Sequence, residues 1–183
     1  RGAKVIAIND LGGAVINKDG LNIPELFKHI AKNPSVKGFE GGEDYEGEIL
    51  EIECDVLIPA AVGGVITSSN AGKIKTNVLI EGANSPTTLN ADKILRENGV
   101  MIIPDILANA GGITASYFEW VQNTQNYLWK ETELHEKLID VMLTSFEEIW
   151  IISQKQNCDL RTAALIKGIK RVAAAKLTRG LFP

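Results

Sequence analysis

Apolar residues fall along this chain in two rhythms. Four short runs, Val5-Ile6-Ala7-Ile8, Val56-Leu57-Ile58, Val78-Leu79-Ile80 and Val100-Met101-Ile102-Ile103, are nearly continuous and rich in β-branched residues. They lack in/out alternation, which is how parallel strands covered by helices on both faces read. Between them the spacing turns helical. Asn22 is placed to cap a helix with Pro24 in its first turn and Leu26, Phe27 and Ile30 facing inward. Asn90 is placed to cap residues 91–98, which Gly99 then ends. Such alternation predicts a doubly wound α/β parallel sheet.

From Gly111 onward the pattern is helical almost throughout, with breaks near Asn126 and Asn157. Leu134, Leu138, Val141 and Ser145 share one helical spacing, and Met142, Phe146, Ile149 and Trp150 another. The broad apolar face suggests a helix packed on more than one side. Asp159 reads as the cap of a final helix that ends near Arg179-Gly180, with Pro183 beyond the stop. The acidic, glycine-rich stretch 38–53 reads as an exposed excursion. The division expected is a sheet part over about 1–125 and C-terminal helices over about 126–183.

The 183 residues, 45% hydrophobic and 23% charged, suffice for a substantial core and argue against disorder. No apolar run approaches the roughly 20 residues that span a bilayer, so no membrane role is expected. A net charge of −4 argues against nucleic acid as a partner. Cys54 and Cys158, far apart, fit reduced thiols in a cytoplasmic protein. His29 and His135 lack ligand-spaced companions, so no metal site is expected. Arg1 and Gly2 run almost directly into an apolar segment, as though the sequence opens mid-domain, with no signal peptide.

Ligands of open parallel sheets bind at the carboxyl ends of the strands. Here those ends read Asn9-Asp10, Pro59-Ala60-Ala61, Glu81-Gly82-Ala83-Asn84 and Pro104-Asp105, the last followed by Asn109-Ala110-Gly111-Gly112. Small residues let a ligand approach the backbone, while single carboxamides and carboxylates orient it. All four ends are expected to open onto one crevice. Asp10 has two open readings: a carboxylate that accepts both hydroxyls of an adenosine ribose and repels a 2′-phosphate, or the first residue of a turn through Gly12-Gly13. A glycine fingerprint normally lies about 20 residues before such an acid, and only nine residues precede it.

Three long strings, residues 80–88, 104–112 and 116–123, closely resemble the glutamate dehydrogenases. So do Leu57-Ile58-Pro59-Ala60-Ala61 with Ile66-Thr67 and Asn70, Leu160-Arg161-Thr162-Ala163-Ala164, and Arg179-Gly180-Leu181-Phe182-Pro183. The resemblance covers essentially the whole chain. It implies a Rossmann-like doubly wound sheet, incomplete at its N-terminal side, followed by a helical section. The fingerprint unit and the substrate domain would lie upstream. It also implies oxidative deamination of L-glutamate to 2-oxoglutarate and ammonia with hydride transfer to NAD, NADP remaining possible. The family's catalytic lysines and aspartate belong to that substrate domain, so no catalytic residue is expected here, and the segment alone is expected to be inactive. A hexameric homo-oligomer is the family's usual state.

By matching position, the resemblance makes Asp10 the ribose acid and sets the Ala60-Ala61 backbone along the adenosine side. It gives Asn84 and Asn109 to the nicotinamide and its ribose, and Ile113 and Ser116 to the substrate side chain, the hydroxyl meeting the distal carboxylate. Apart from the resemblance, Asn84 also reads as a turn residue before Pro86, Asn109 as a helix cap, Ser116 as a back-bonding hydroxyl and Ile113 as core. Asp105 reads as a turn or cap residue, and Lys167, Lys170, Arg171, Lys176 and Arg179 as a solvated helix face. Trp120, Trp129 and Trp150 read as core or subunit-contact anchors. Gly63-Gly64 stands where many relatives carry a polar or acidic pair, and Ser85 and Leu89 replace commoner glycine and proline. The rivals are a dehydrogenase of branched-chain or aromatic amino acids and a non-catalytic nucleotide-binding subunit.

Overall fold

The computed structural model describes residues 2–180. The predicted stop at Pro183 and the Leu181-Phe182-Pro183 string lie outside the described residues. The chain divides into two compact units. The first runs to Glu53 and includes Lys73–Lys75; the second holds Cys54–Gly72 and the chain from Thr76 onward.

The first unit is an antiparallel meander, β1 (Ala7–Asp10), β2 (Gly13–Ile16) and β3 (Glu43–Tyr45), with helix α1 (Ile23–Ile30) between the last two. This corrects two expectations. The first apolar run does not pair in parallel; its strand continues through Asn9-Asp10 and turns back at once. Asp10 pairs with Gly13 across a two-residue loop, Leu11-Gly12. Gly13 sits at φ +149, a conformation that favours glycine, and the Asn9 Nδ2 donates to its carbonyl at 2.9 Å. The acidic stretch 38–53 is not merely an excursion, because it supplies edge strand β3, and Phe39 joins Val15, Leu21, Leu26 and Val36 in a small core. Asn22 caps α1 as expected, accepting from the Glu25 N–H at 3.3 Å. Of the residues expected to face inward, Leu26 is buried, whereas Phe27 is 65% exposed and Ile30 also faces out. An eight-residue helix on so small a core buries only a narrow stripe.

In the second unit, β4 (Cys54–Leu57), β5 (Thr76–Ile80) and β6 (Met101–Ile103) form the parallel sheet, in order β4-β5-β6. Val56, Val78 and Met101 lie in register, as do Leu57, Leu79 and Ile102. Burial follows that register rather than covering both faces. Leu79 and Ile102 are buried, whereas Val56 and Met101 are 45% and 43% exposed. The continuous apolar composition therefore reports a second face that the described helices cover only in part, with Ile103 packed against them and Val56 and Met101 open.

Helix α2 (Leu89–Glu97) starts earlier than expected. Thr88 adopts an extended backbone and its hydroxyl accepts from the Ala91 N–H at 3.4 Å, which makes it the cap in place of Asn90. Gly99, at φ +81, follows the helix end as expected. After β6 come the single turn α3 (Asp105–Ala108), then α4 (Gly111–Gln125), α5 (Glu131–Gln156) and α6 (Leu160–Arg179). Asn126 and Asn157 close α4 and α5 in the left-handed conformation, at φ 52 and 48. Asp159 caps α6 through the Thr162 N–H at 2.9 Å. Leu107, Ile149, Leu160, Ala163 and Ala164 make the core that joins α3, α5 and α6, and Ile103 of β6 packs against it. In the basic run of α6, Lys167 pairs with Glu148 of α5 at 2.6 Å, while Lys170, Arg171, Lys176 and Arg179 are exposed. Trp129 packs edge-on against Phe118, Trp150 stacks on Phe146, and Trp120 is exposed.

Candidate functional site

The parallel ladder persists past the ends of its strands. The Ala83 N–H donates to the Pro59 carbonyl at 2.9 Å and the Glu81 N–H to the Ile103 carbonyl at 3.1 Å. Those bonds bring the three carboxyl ends level. A cavity of about 610 Å³ opens there, lined by Ala61, Gly63, Gly82, Ala83, Asn84, Asn109 and Ile113. Glycine is needed twice. A Cβ on Gly63 would lie 2.8 Å from the Asn84 carbonyl oxygen, and one on Gly82 would lie 3.0 Å from the Cβ of Ala60.

Four of the seven residues singled out from the sequence meet at this cavity: Ala61, Asn84, Asn109 and Ile113. The two carboxamides are paired, Asn109 Nδ2 donating to Asn84 Oδ1 at 2.7 Å. That bond uses one donor of Asn109 and one acceptor position of Asn84. It leaves the Asn84 amide hydrogens and the Asn109 carbonyl unused by this bond. Ala60 is exposed in the loop after β4, beside Gly82. Ile113 is 74% exposed at the cavity wall. Ser116, three residues further along α4 and exposed, is not among the lining residues.

Asp10 belongs to the first unit, and its carboxylate is engaged there. Oδ1 accepts from the Gly12 N–H at 2.8 Å and the Ser35 hydroxyl at 2.7 Å, and Oδ2 accepts from the Val36 N–H at 2.8 Å. Partial burial pushes its pKa up. Hydrogen bonds from Ser35, Val36, Gly12 and Gly13 outweigh that and hold it below the ordinary aspartate value. With about four acceptor positions on a carboxylate, the donors of this turn take up its capacity.

Sequence reasoning missed the polar network beside the crevice. Glu81, which follows β5 directly, is fully buried. Its Oε1 accepts from Arg161 Nη2 at 2.7 Å and its Oε2 from the Asp105 N–H at 2.9 Å. Arg161 also reaches Asp92 at 3.0 Å and Asp105 Oδ1 at 3.3 Å. Desolvation lowers the arginine's pKa, but the Glu81 and Asp92 carboxylates more than compensate and lift it above its ordinary value. Arg96 bonds the other oxygen of Asp92 at 2.7 Å and reaches Asp159 at 3.2 Å. Asp105, the first residue of α3, is engaged in the fold: Oδ2 accepts from the Ser85 N–H at 2.8 Å and Oδ1 from the Ile106 N–H. The available signal was Glu81 itself, a charge at the end of a buried apolar strand, which demands a cation. Its partner lies 80 residues away. Among the described residues no group of His, Cys, Asp and Glu is arranged to hold a metal ion.

A level row of parallel strand ends and a cavity lined by glycine, alanine and paired carboxamides stand where open α/β sheets hold their ligands. The family model described as Glutamate/Leucine/Phenylalanine/Valine dehydrogenase matches residues 1–180, and the chain belongs to that family. Over 179 residues it is 47% identical to the catabolic NAD-specific glutamate dehydrogenase RocG of Bacillus subtilis (strain 168), covering 98% of this chain and 42% of that protein. Among solved structures, the hetero-hexameric glutamate dehydrogenase of Thermus thermophilus in a leucine-bound form superposes with a TM-score of 0.91 at 26% identity, over all of this chain and 43% of that one. Glutamate dehydrogenase of Peptoniphilus asaccharolyticus superposes at 0.82 with 33% identity, over 99% of this chain and 42% of that one. The chain thus spans less than half the length of these relatives.

Proposed function

We propose that this chain is the cofactor-binding part of an NAD-dependent glutamate dehydrogenase, which deaminates L-glutamate to 2-oxoglutarate and ammonia. The observation that carries the reading is the Asn84–Asn109 pair at the mouth of the cavity, in a chain of this family. A nicotinamide carboxamide carries one carbonyl acceptor and one NH2 donor. The free Asn84 amide hydrogens and the free Asn109 carbonyl offer the complementary set. Both residues thus orient the ring, and the small residues Ala61, Gly63, Gly82 and Ala83 let it approach the backbone. NAD, when bound, takes up the hydride released from the α-carbon of the amino acid.

In this reading Asp10 exchanges donors of its turn for hydroxyls of the adenosine ribose and disfavours a 2′-phosphate by charge, with NADP the weaker ligand. Ala60 and Ala61 line the adenosine side. Ile113 and Ser116 face the substrate side chain, the hydroxyl toward its distal carboxylate. The same reading divides the chain into a sheet part, about 1–125, and a C-terminal part, about 126–183, of one cofactor domain within a cytoplasmic homo-hexamer. The test is the full-length protein with NAD and each of L-glutamate, L-leucine and L-phenylalanine, followed by NADH absorbance. Turnover with glutamate above the other two is expected. Preference for leucine or phenylalanine favours the branched-chain or aromatic rival, and nucleotide binding without turnover favours a non-catalytic subunit.

A further inference from the structure

We propose that Arg161 of α6 is a positioning residue for the nicotinamide end of the crevice, a role that rests on the cofactor reading above. Arg161 is not among the residues lining the cavity. It acts through two carboxylates, each divided in the same way between the guanidinium and the backbone of the site. Glu81 gives Oε1 to Arg161 and Oε2 to the Asp105 N–H, at 2.7 and 2.9 Å. Asp105 gives Oδ1 to Arg161 at 3.3 Å and Oδ2 to the Ser85 N–H at 2.8 Å.

Ser85 follows Asn84 directly and stands at φ 46, a left-handed conformation that a serine keeps only when its surroundings hold it. The Asp105 carbonyl accepts the Asn109 N–H at 3.0 Å. One aspartate, itself tethered to the guanidinium, therefore fixes the backbone at both carboxamides whose side chains meet at 2.7 Å. Asp92, at 3.0 Å, holds the guanidinium from a third direction. A rigid, planar fork can serve three carboxylates at fixed angles; an ammonium on a flexible stem cannot. Residues that orient metal ligands without touching the metal typically matter about 10- to 100-fold, and binding sites in general tolerate little slack in their supporting groups.

The test compares Arg161→Lys with the parent in the full-length protein. Two probes are titrated: NADH, and ADP-ribose, which keeps the adenosine and both phosphates but lacks nicotinamide. The Kd for NADH is expected to rise about tenfold while that for ADP-ribose changes less than about twofold. Asn84→Ala should show the same selective loss, and adding Arg161→Lys to it should weaken NADH binding little further. Equal weakening of both probes, or unchanged NADH binding, overturns the positioning role. If Arg161→Lys does not fold, Asp105→Asn supplies the same ratio; it keeps an acceptor for Ser85 and removes the charge that orients Arg161. A parent protein that binds neither probe, or binds both equally, overturns instead the cofactor reading on which the role rests.

Discussion

Arg161 Nη2 lies 2.7 Å from Oε1 of Glu81, a carboxylate with no exposed surface at the end of β5. A buried ion pair adds little net stability over an apolar pair, but removing one partner leaves a desolvated charge and costs about 3–5 kcal/mol. Arg161→Met should therefore cost about that much in denaturant unfolding at neutral pH. Equilibrium unfolding of the variant checks it, and a cost well below that range would show that the buried pair is not the source.

Ser85 holds φ 46, where an L side chain costs about 1–2 kcal/mol and glycine almost nothing. Glycine also gains freedom in the unfolded chain, by about 0.4–1 kcal/mol. Ser85→Gly should consequently be neutral to about 1 kcal/mol stabilising, and Ser85→Val destabilising by more than 1 kcal/mol, roughly. Thermal melting of the two variants checks the order. Equal melting points would remove backbone strain as the cause.

Asp159 opens α6, its Oδ1 accepting the Thr162 N–H and its Oδ2 the Thr162 hydroxyl, both at 2.9 Å. Partial burial raises its pKa, but the two Thr162 bonds and the charge of Arg96 prevail and depress it. A depressed carboxyl contributes stability above its unfolded pKa and loses it as pH falls through the folded value. Asp159→Ala should cost about 1 kcal/mol at neutral pH, the usual worth of a cap, and the gap should close in acid below the ordinary aspartate range. Unfolding curves at neutral and strongly acidic pH measure it; a gap that widens in acid contradicts the assignment.

What the sequence disclosed follows from how locally each feature is encoded. The parallel strands, the asparagine breaks at positions 126 and 157 and the Asp159 cap depend on neighbouring residues, and all appear where the pattern puts them. The first run misleads, because Val5-Ile6-Ala7-Ile8 lacks the alternation of a half-exposed antiparallel strand and only the Leu11-Gly12 loop turns it straight back. Asn90 lost the cap to Thr88, two residues earlier, because both polar residues compete for one position. The cavity's carboxamides were legible through their place after apolar strands. The network of Arg161 was not, since its partners lie 56 to 80 residues away and no period links them.

Asp10 presents a harder case, since the same carboxylate holds Ser35 and Val36 and is proposed to meet a ribose. Asp10→Asn separates the two roles. The amide keeps an acceptor but loses the charge, so NADP should gain on NAD by about tenfold, roughly 1.4 kcal/mol of relieved repulsion. The first unit should lose about 1–2 kcal/mol at the same time, as one N–H or hydroxyl donor now faces an NH2. Coenzyme selectivity and hydrogen exchange in residues 7–16 read these independently. Exchange that rises without a change in selectivity assigns Asp10 to the turn alone.

Ile113 and Ser116, one turn apart on α4, offer an apolar and a hydroxyl surface on neighbouring positions of an exposed helix face. A hydroxyl donating to a carboxylate contributes about 1.5–3 kcal/mol when the acceptor is charged. If Ser116 meets the distal carboxylate of glutamate, Ser116→Val should raise KM for glutamate about tenfold or more and change kcat far less, because the contact exists in ground and transition states alike. Leucine should gain relative to glutamate, since an apolar wall no longer leaves a polar group unmatched. Ser116→Thr, which keeps the hydroxyl, should retain most of the preference. Steady-state kinetics on the three full-length proteins decides it, and an unchanged KM for glutamate in Ser116→Val would leave the distal carboxylate to another residue.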